Sequence, residues 1–287
     1  MSALIRVVSF QEKLKLKNIS SNSDDIFKSK KEAQQKLKKD IEKLAELQEV
    51  LYAENKTALL VIFQGMDTSG KDSMIKHVMT GINPQGCEVH SFKPPSAEEL
   101  SHDYLWRCAK WAPAKGKIGI FNRSYYEEVT IARVHHELIS KENLPAKLTK
   151  HHLWDQRCEE INNYEKYLSE NGTTILKFFL HISEDEQKQR ILKRINDKSK
   201  HWKFDVSDIR EREYWDKYAT AYEKAISLTS TDFAPWRIVP SDQKMNARIA
   251  VAEVIVKKLQ QMKLSYPKLS AKGESDLKKA KALLGKN

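Results

Sequence analysis

The sequence predicts an α/β protein with a parallel sheet and helices on both of its faces. Three observations carry that expectation. Short apolar runs of strand length alternate with stretches whose apolar positions recur at three- and four-residue steps. One such run, residues 57–64, feeds a glycine-bracketed loop ending in Gly70-Lys71, after which a helical pattern resumes. Another, residues 173–181, is too continuously apolar for a strand with one wet face, so it reads as covered on both sides.

Taken in order, residues 24–55 place Phe27, Ala33, Leu37, Ile41, Leu44, Leu47 and Leu51 at helical spacing. Lysines and glutamates fill the other faces, so one long amphipathic helix is expected, packed on the core or on a partner subunit. The strand at 57–64 and a helix through Val78 follow. Residues 87–92 form a short strand that ends in the turn Lys93-Pro94-Pro95, and 97–111 a single helix. Strands are expected at 117–121 and 173–181, and Ser183 with Glu186 three residues on reads as a capping box. A strand at 236–239 stops at Pro240, and a helix covers 245–262. The tail, with Lys278-Lys279-Ala-Lys281, reads as a solvated helix or a disordered end. The resulting division is an N-terminal helical segment at 1–56, a main domain at 57–262 and a basic tail at 263–287.

Composition narrows the classes. A chain of 287 residues with 40% hydrophobic and 31% charged side chains is soluble and globular, of one large domain or two small ones. No apolar run approaches the roughly 20 residues of a membrane span, and no secretory signal pattern opens the chain. Cys87, Cys108 and Cys158 are odd in number and lack metal-type spacing, which suits free thiols in a reducing cytoplasm. The pairs His135-His136 and His151-His152 are expected to be solvent-facing or capping, because neighbours on a helix point apart. A net charge of +11 calls for a polyanion or a solvated basic surface. Nucleic acid is the first suspect, but no zinc-finger, RNA-recognition or helix-turn-helix pattern accompanies the charge.

The chemistry concentrates at strand ends, where open parallel sheets collect ligands. In Gly65-Met-Asp67-Thr68-Ser69-Gly70-Lys71-Asp72-Ser73 the glycines let the backbone curl and point its N–H groups inward. The helix N-terminus adds partial positive charge and Lys71 a full one, so the loop and its Thr68, Ser69 and Ser73 form a phosphate cradle. Asp72 stands where Ser or Thr usually meets magnesium, and Asp67 lies inside the loop; two carboxylates here suggest a metal held at the loop itself. After the third strand come Asn122-Arg123-Ser-Tyr-Tyr-Glu127-Glu128. Arg123 can stabilise charge on a transferring phosphate, or pair with a neighbouring glutamate, and Glu127 or Glu128 can help hold metal. After the fourth, Lys188, Arg190, Lys193 and Arg194 precede a polar break with Lys200, Trp202, Lys203 and Phe204. That segment, about 184–212, reads as a lid closing on phosphates, as a nucleic-acid surface, or as a solvated helix pair.

Over residues 58–259 these motifs, together with Asn83-Pro-Gln-Gly86, Ser91-Phe-Lys93, Asp103-Tyr-Leu-Trp-Arg107, Ala234-Pro-Trp236 and Pro240-Ser-Asp242, resemble polyphosphate kinase family 2. The resemblance points to the subgroup acting on both AMP and ADP. It implies a thymidylate-kinase-like P-loop fold with a helical lid, inorganic polyphosphate as donor, AMP, ADP and ATP as nucleotides, and magnesium with manganese as a substitute. No nucleic acid and no membrane are then expected, and a homo-oligomer, dimer or tetramer, is. Asp67, Lys71 and Arg123 become the catalytic candidates. Lys93, Arg107, Arg190, Arg194, Lys200 and Lys203 become substrate contacts, and Asp67, Asn122 and Glu127 metal ligands. Many members carry Asp where this chain has Asn122, which disfavours a phosphorylated carboxylate there and favours direct transfer. The rivals are an ATP-dependent nucleoside monophosphate kinase and a non-catalytic nucleic-acid-binding protein.

Overall fold

The computed structural model describes residues 4–23, 26–145 and 152–285. Six strands make one sheet in the order β1-β6-β5-β2-β4-β3. They are β1 (Arg6–Val7), β2 (Ala58–Gln64), β3 (Cys87–Ser91), β4 (Ile118–Asn122), β5 (Thr173–His181) and β6 (Trp236–Pro240). Five run parallel; β1 pairs antiparallel with the edge of β6, with Arg6 opposite Ile238. This two-residue edge strand had no signal in the sequence, being too short to show alternation. All seven residues of β2 are buried.

Alternate residues of β2 serve two cores. Leu59, Val61 and Phe63 face one layer, with α1 (Lys30–Glu54), α2 (Lys71–Val78) and α10 (Lys244–Gln261). Leu60 and Ile62 face the other, with α5 (Glu127–Val134), α6 (Leu153–Glu170) and α9 (Trp215–Thr229). Helices thus cover both faces, as the continuous apolar strands require. α1 packs against α10. The remaining helices are α3 (Ala97–Ser101), α4 (Trp106–Ala109), α7 (Glu184–Asn196), α8 (Ser207–Glu211) and α11 (Ala271–Leu284), the last with no buried residue. No helix among the described residues is long and apolar enough to cross a membrane.

Four local expectations need correction. The first helix begins at Lys30, where Ser29 Oγ accepts the Glu32 N–H at 3.2 Å, so Phe27 precedes it and Asp24 lies outside the described residues. The single helix over 97–111 is two, because Asp103 Oδ1 turns the chain by accepting the N–H groups of Leu105 and Trp106 at 2.9 and 3.1 Å. Only half of the capping box forms. Ser183 Oγ accepts from Glu186 N at 3.1 Å, but the Glu186 carboxylate goes to Arg190 and the Ser183 N–H to Asp242. His135 is a half-buried link, with Nε2 2.9 Å from Glu211 and 3.0 Å from the Tyr218 hydroxyl; His151 lies outside the described residues.

One residue of β5 breaks the apolar rule. Lys177 is fully buried and donates to Glu165 Oε2 at 2.6 Å, to the Tyr126 hydroxyl at 2.8 Å and to the Thr229 carbonyl at 2.6 Å. Glu165, also fully buried, accepts from the Tyr125 and Tyr126 hydroxyls at 2.9 and 2.8 Å. Every lysine proton is therefore used, which is what makes a buried charge tolerable. Lys177→Met should cost roughly 3–5 kcal/mol in urea unfolding, because it strands Glu165. Adding Glu165→Leu should restore most of that loss. A single variant that unfolds at the parent midpoint would show that the pair is not mutually dependent.

Candidate active site

The loop between β2 and α2 is shaped by two glycines. A Cβ on Gly65 would sit 2.7 Å from the Leu180 carbonyl oxygen and 2.8 Å from Ser69 Oγ, and Gly70 has φ +102°. Thr68 adopts φ +62°, which costs a side-chain-bearing residue strain. The loop's carbonyl oxygens from Gly65 to Ser69 each find a side-chain donor. Lys71 Nζ takes Gly65 and Met66 at 2.6 and 3.3 Å. Gln187 Nε2 takes Asp67 at 3.1 Å, and Arg190 Nη1 takes Thr68 and Ser69 at 3.0 and 2.7 Å. Thr68 Oγ1 and Ser69 Oγ are buried without a protein partner, and Thr68 lines the larger hollow beside the loop.

At the end of β4, Arg123 has φ +65° and donates its N–H to the Phe63 carbonyl at 3.0 Å, which bends the chain out of the sheet beside the loop. Its Nη2 lies 3.2 Å from Asp67 Oδ1 and its Nε 4.0 Å from Glu127 Oε2. The glutamate pairing considered for Arg123 and its place in the site therefore coexist. Asn122 Nδ2 donates to Asp72 Oδ1 at 2.7 Å and to Ser91 Oγ at 3.2 Å, so the amide bridges the loop helix to β3. Burial pulls the Lys71 ammonium below its usual range, and the Arg123 charge adds to that. Burial pushes Glu127 up, against the pull of Arg123 and Lys71.

Three hollows meet at Arg123; one, about 290 Å³, is lined by Met66, His135, Tyr218 and Tyr222, and the other two bear on the chemistry. Of these two, the first, about 710 Å³, runs from the loop under the lid. Nine basic side chains line it: Lys71, Lys93, Arg123, Arg190, Lys193, Arg194, Lys200, Lys203 and Lys244, against Asp67, Asp72 and Asp208. The second, about 250 Å³, is mostly apolar, walled by Phe92, Pro94, Pro95, Leu100, Tyr104 and Ile131, with Glu99, Arg107, Glu128 and Lys141 at its polar margins. Arg107 is buried there, donating to the Lys93 carbonyl at 2.9 Å and lying 5.4 Å from the Phe92 ring centre. Burial, reinforced by Glu142, pushes the Glu128 carboxyl up to about 7, although Arg157 stands 3.6 Å away. Arg157 makes its closer contact with Glu142.

The structure brings Gly65, Asp67, Thr68, Ser69, Gly70, Lys71, Asp72, Ser73, Lys93, Asn122 and Arg123 into one neighbourhood. Lys200 and Lys203 lie along the groove, where Lys200 pairs with Asp197 and Lys203 sits over the Trp202 ring. Arg194 pairs with Asp208 at 3.0 Å. Arg190 is placed differently from expectation: all five of its donors go to protein oxygens, so here it positions the loop rather than facing a phosphate. Sequence reasoning missed Gln187, Lys244 and Arg248; Arg248 Nη2 holds Ser73 Oγ at 2.8 Å. Lys244 and Arg248 open the helix after β6, so the strand-end rule applied to β6 would have found them.

Comparison with known proteins agrees with this geometry. The family model for polyphosphate kinase 2 (PPK2) matches residues 27–267. The ADP-polyphosphate phosphotransferase of Rhodopseudomonas palustris is 47% identical over 93% of the chain and 92% of its own length. The AMP/ADP-polyphosphate phosphotransferase of Meiothermus ruber is 43% identical over 78% and 80%. The crystal structure of polyphosphate kinase 2 from Arthrobacter aurescens superposes with a TM-score of 0.83 at 40% identity, covering 93% of each chain. A glycine-curled loop at the end of a central parallel strand, a basic groove and this breadth of identity lead to one conclusion: the chain belongs to the polyphosphate kinase 2 family.

Proposed function

We propose that the chain transfers the terminal phosphate of inorganic polyphosphate to AMP and ADP, reversibly and without a covalent enzyme intermediate. The observation that carries this reading is the junction of the two hollows, which share Phe92, Lys93 and Arg123. A chain of phosphates fits a groove with nine cations against three anions, and a nucleoside fits the mostly apolar cavity beside it. The shared wall then sets donor and acceptor phosphates end to end over the loop. Relatives named for AMP, for ADP and for both support the acceptor range.

Phosphoryl transfer asks the protein for positioning and charge rather than covalent chemistry. The loop amides, with Thr68 Oγ1 and Ser69 Oγ, would hold the donor phosphates. Lys71 and Arg123 would neutralise the oxygens in flight, and Arg194, Lys200 and Lys203 would track the rest of the chain. Among the described residues no three His, Cys, Asp or Glu side chains gather into a protein-only cage. Such a sparse oxygen set suits magnesium, which keeps waters and takes phosphate oxygens, and manganese shares the preference. Asp67 and Asn122, with Glu127 behind them, would hold the ion, which when bound supplies charge neutralisation at the phosphates. The free thiols of Cys87, Cys108 and Cys158 suit a cytoplasmic setting.

The direct test supplies AMP, magnesium and polyphosphate without ATP. ADP and then ATP should form. Failure with polyphosphate, combined with rapid phosphorylation of AMP by ATP, would replace this reading with a nucleotide kinase. Lys71→Ala should remove most turnover, at least about a hundredfold. Arg123→Ala should lower kcat more than it raises the KM for nucleotide; unchanged turnover would make Arg123 a structural ion pair. Asn122→Asp should leave the enzyme active, since direct transfer needs no carboxylate there; a phosphoenzyme trapped on Asp67 or Glu127 of the parent would contradict direct transfer.

Glu128 gives a pH prediction. Folded, it keeps a proton to about 7 that the unfolded chain releases near 4.5. Its contribution to stability is therefore complete below the unfolded value and is lost as pH rises through the folded one. Glu128→Gln should flatten that fall by up to roughly 1.4 kcal/mol per pH unit within the window. Superimposable stability profiles for parent and variant would mean that Glu128 is ionised throughout.

A further inference from the structure

Residues 14–23 take no part in the transfer chemistry, yet they lie across the carboxyl ends of β5 and β6, where a parallel sheet ordinarily gathers ligands. Leu14 and Leu16 are buried. His181 Nε2, at the end of β5, bonds the Ile19 carbonyl at 3.0 Å. Asp242, just past β6, donates its N–H to the Ser21 carbonyl at 3.0 Å and accepts from Ser21 Oγ at 2.8 Å. Its other carboxylate oxygen takes the Ser183 N–H at 2.9 Å. Ser23 meets Gln243 and Asn246 at 3.2 and 3.0 Å. The segment is a strap bolted to both strand ends.

Beneath it Arg190 fills the space between the phosphate loop and the β6–α10 connection. Nη1 reaches the carbonyls of Thr68 and Ser69, and Nη2 those of Ser241 and Asp242 at 2.6 and 3.3 Å. Nε is held by Glu186 at 2.6 Å. The guanidinium is buried and has no donor left over.

In-line transfer sets the acceptor on one side of the moving phosphate and the remainder of the donor on the other. The acceptor cavity lies on the β4–β3 side, with Phe92 and Arg107 in its wall. The donor must therefore extend toward β5, β6 and the lid. A nucleotide donor needs an enclosed slot there for its base and ribose, and the strap and Arg190 stand in it. The groove past Lys193, Lys200 and Lys244 stays open, and it offers charge but little enclosure. Its one tryptophan, Trp202, is 78% exposed and carries the Lys203 ammonium 4.7 Å over its ring. A separate hollow of about 530 Å³, against the strap at Lys15 and Trp215, shares no lining residue with the groove.

We infer that the strap at residues 14–23, with Arg190 as its inner wall, selects the donor, admitting a bare phosphate chain and excluding a nucleoside. This rests on the polyphosphate reading above. The test counts nucleotides by titration calorimetry on the full chain with magnesium, AMP at saturation and a non-hydrolysable ATP analogue as the probe. The parent should bind AMP and no second nucleotide. The double variant Arg190→Ala, Asp242→Ala should bind the analogue as well. Its ratio of AMP phosphorylation by ATP to that by polyphosphate should also rise by roughly tenfold, the effect of about 1.4 kcal/mol. A parent that binds the analogue on top of AMP as tightly as it binds AMP overturns the inference, whether or not the double variant folds. So does a folded double variant that binds no analogue and keeps the parent's donor ratio. Absence of polyphosphate-driven turnover in the parent would strike the proposed function alone, because the binding count requires no turnover.

Discussion

A phosphate loop that points its amides inward must point its carbonyls outward, and those carbonyls need donors or the curl does not hold. In this chain the donors come from three side chains on two elements. Lys71, at the start of α2, closes the loop on itself through Gly65 and Met66. Gln187 and Arg190, one helical step apart on α7, take the next three carbonyls. The helix that leads into the lid is thus also the back wall of the loop, so the two cannot be arranged independently. Arg190 then reaches on to the β6–α10 connection, which the N-terminal strap covers. Loop, lid base, last strand and N-terminus share one hydrogen-bonded network.

The opposite wall has a different anchor. The turn after β4 must hold Arg123 at positive φ and deliver Glu127 beside it. Tyr125 and Tyr126, between those two residues, both donate to the buried Glu165, which Lys177 compensates. A fully satisfied ion pair in the core therefore sits directly beneath the segment that carries Arg123 and Glu127. Buried pairs of this kind contribute little net stability but penalise any arrangement that leaves one partner alone. That property suits a turn that has to stay in a strained conformation.

Much of this was legible in the sequence where the signal was local. Thr173–His181 is found as read, and the loop, its lysine and Arg123 come together at adjacent strand ends, because apolar runs and glycine spacing are themselves the cause of those features. Boundaries were missed where a side chain intervened. Asp103 cuts a helix that periodicity would have continued, and Ser29 delays another. What could not be read was who meets whom across the sheet. Arg190 looked like one more lid cation, since nothing in its neighbours on the chain tells of Thr68, Ser69, Ser241 and Asp242. Lys177 lies inside a run read simply as apolar, and its partner Glu165 stands twelve residues earlier on another element.

In the proposed reaction the donor is recognised as a line of negative charge, through a groove in which eight basic side chains other than Arg190 face three carboxylates. The most direct measurement is the dependence of kcat/KM for long-chain polyphosphate on salt concentration, at saturating AMP, for the parent and for Lys200→Ala and Lys203→Ala. Each phosphate contact released should add about one unit to the slope of the logarithmic plot, as for other polyanions. A steep fall is expected for the parent, and a slope shallower by about one in each variant. A flat plot for the parent, or variants with the parent's slope, would contradict recognition by charge.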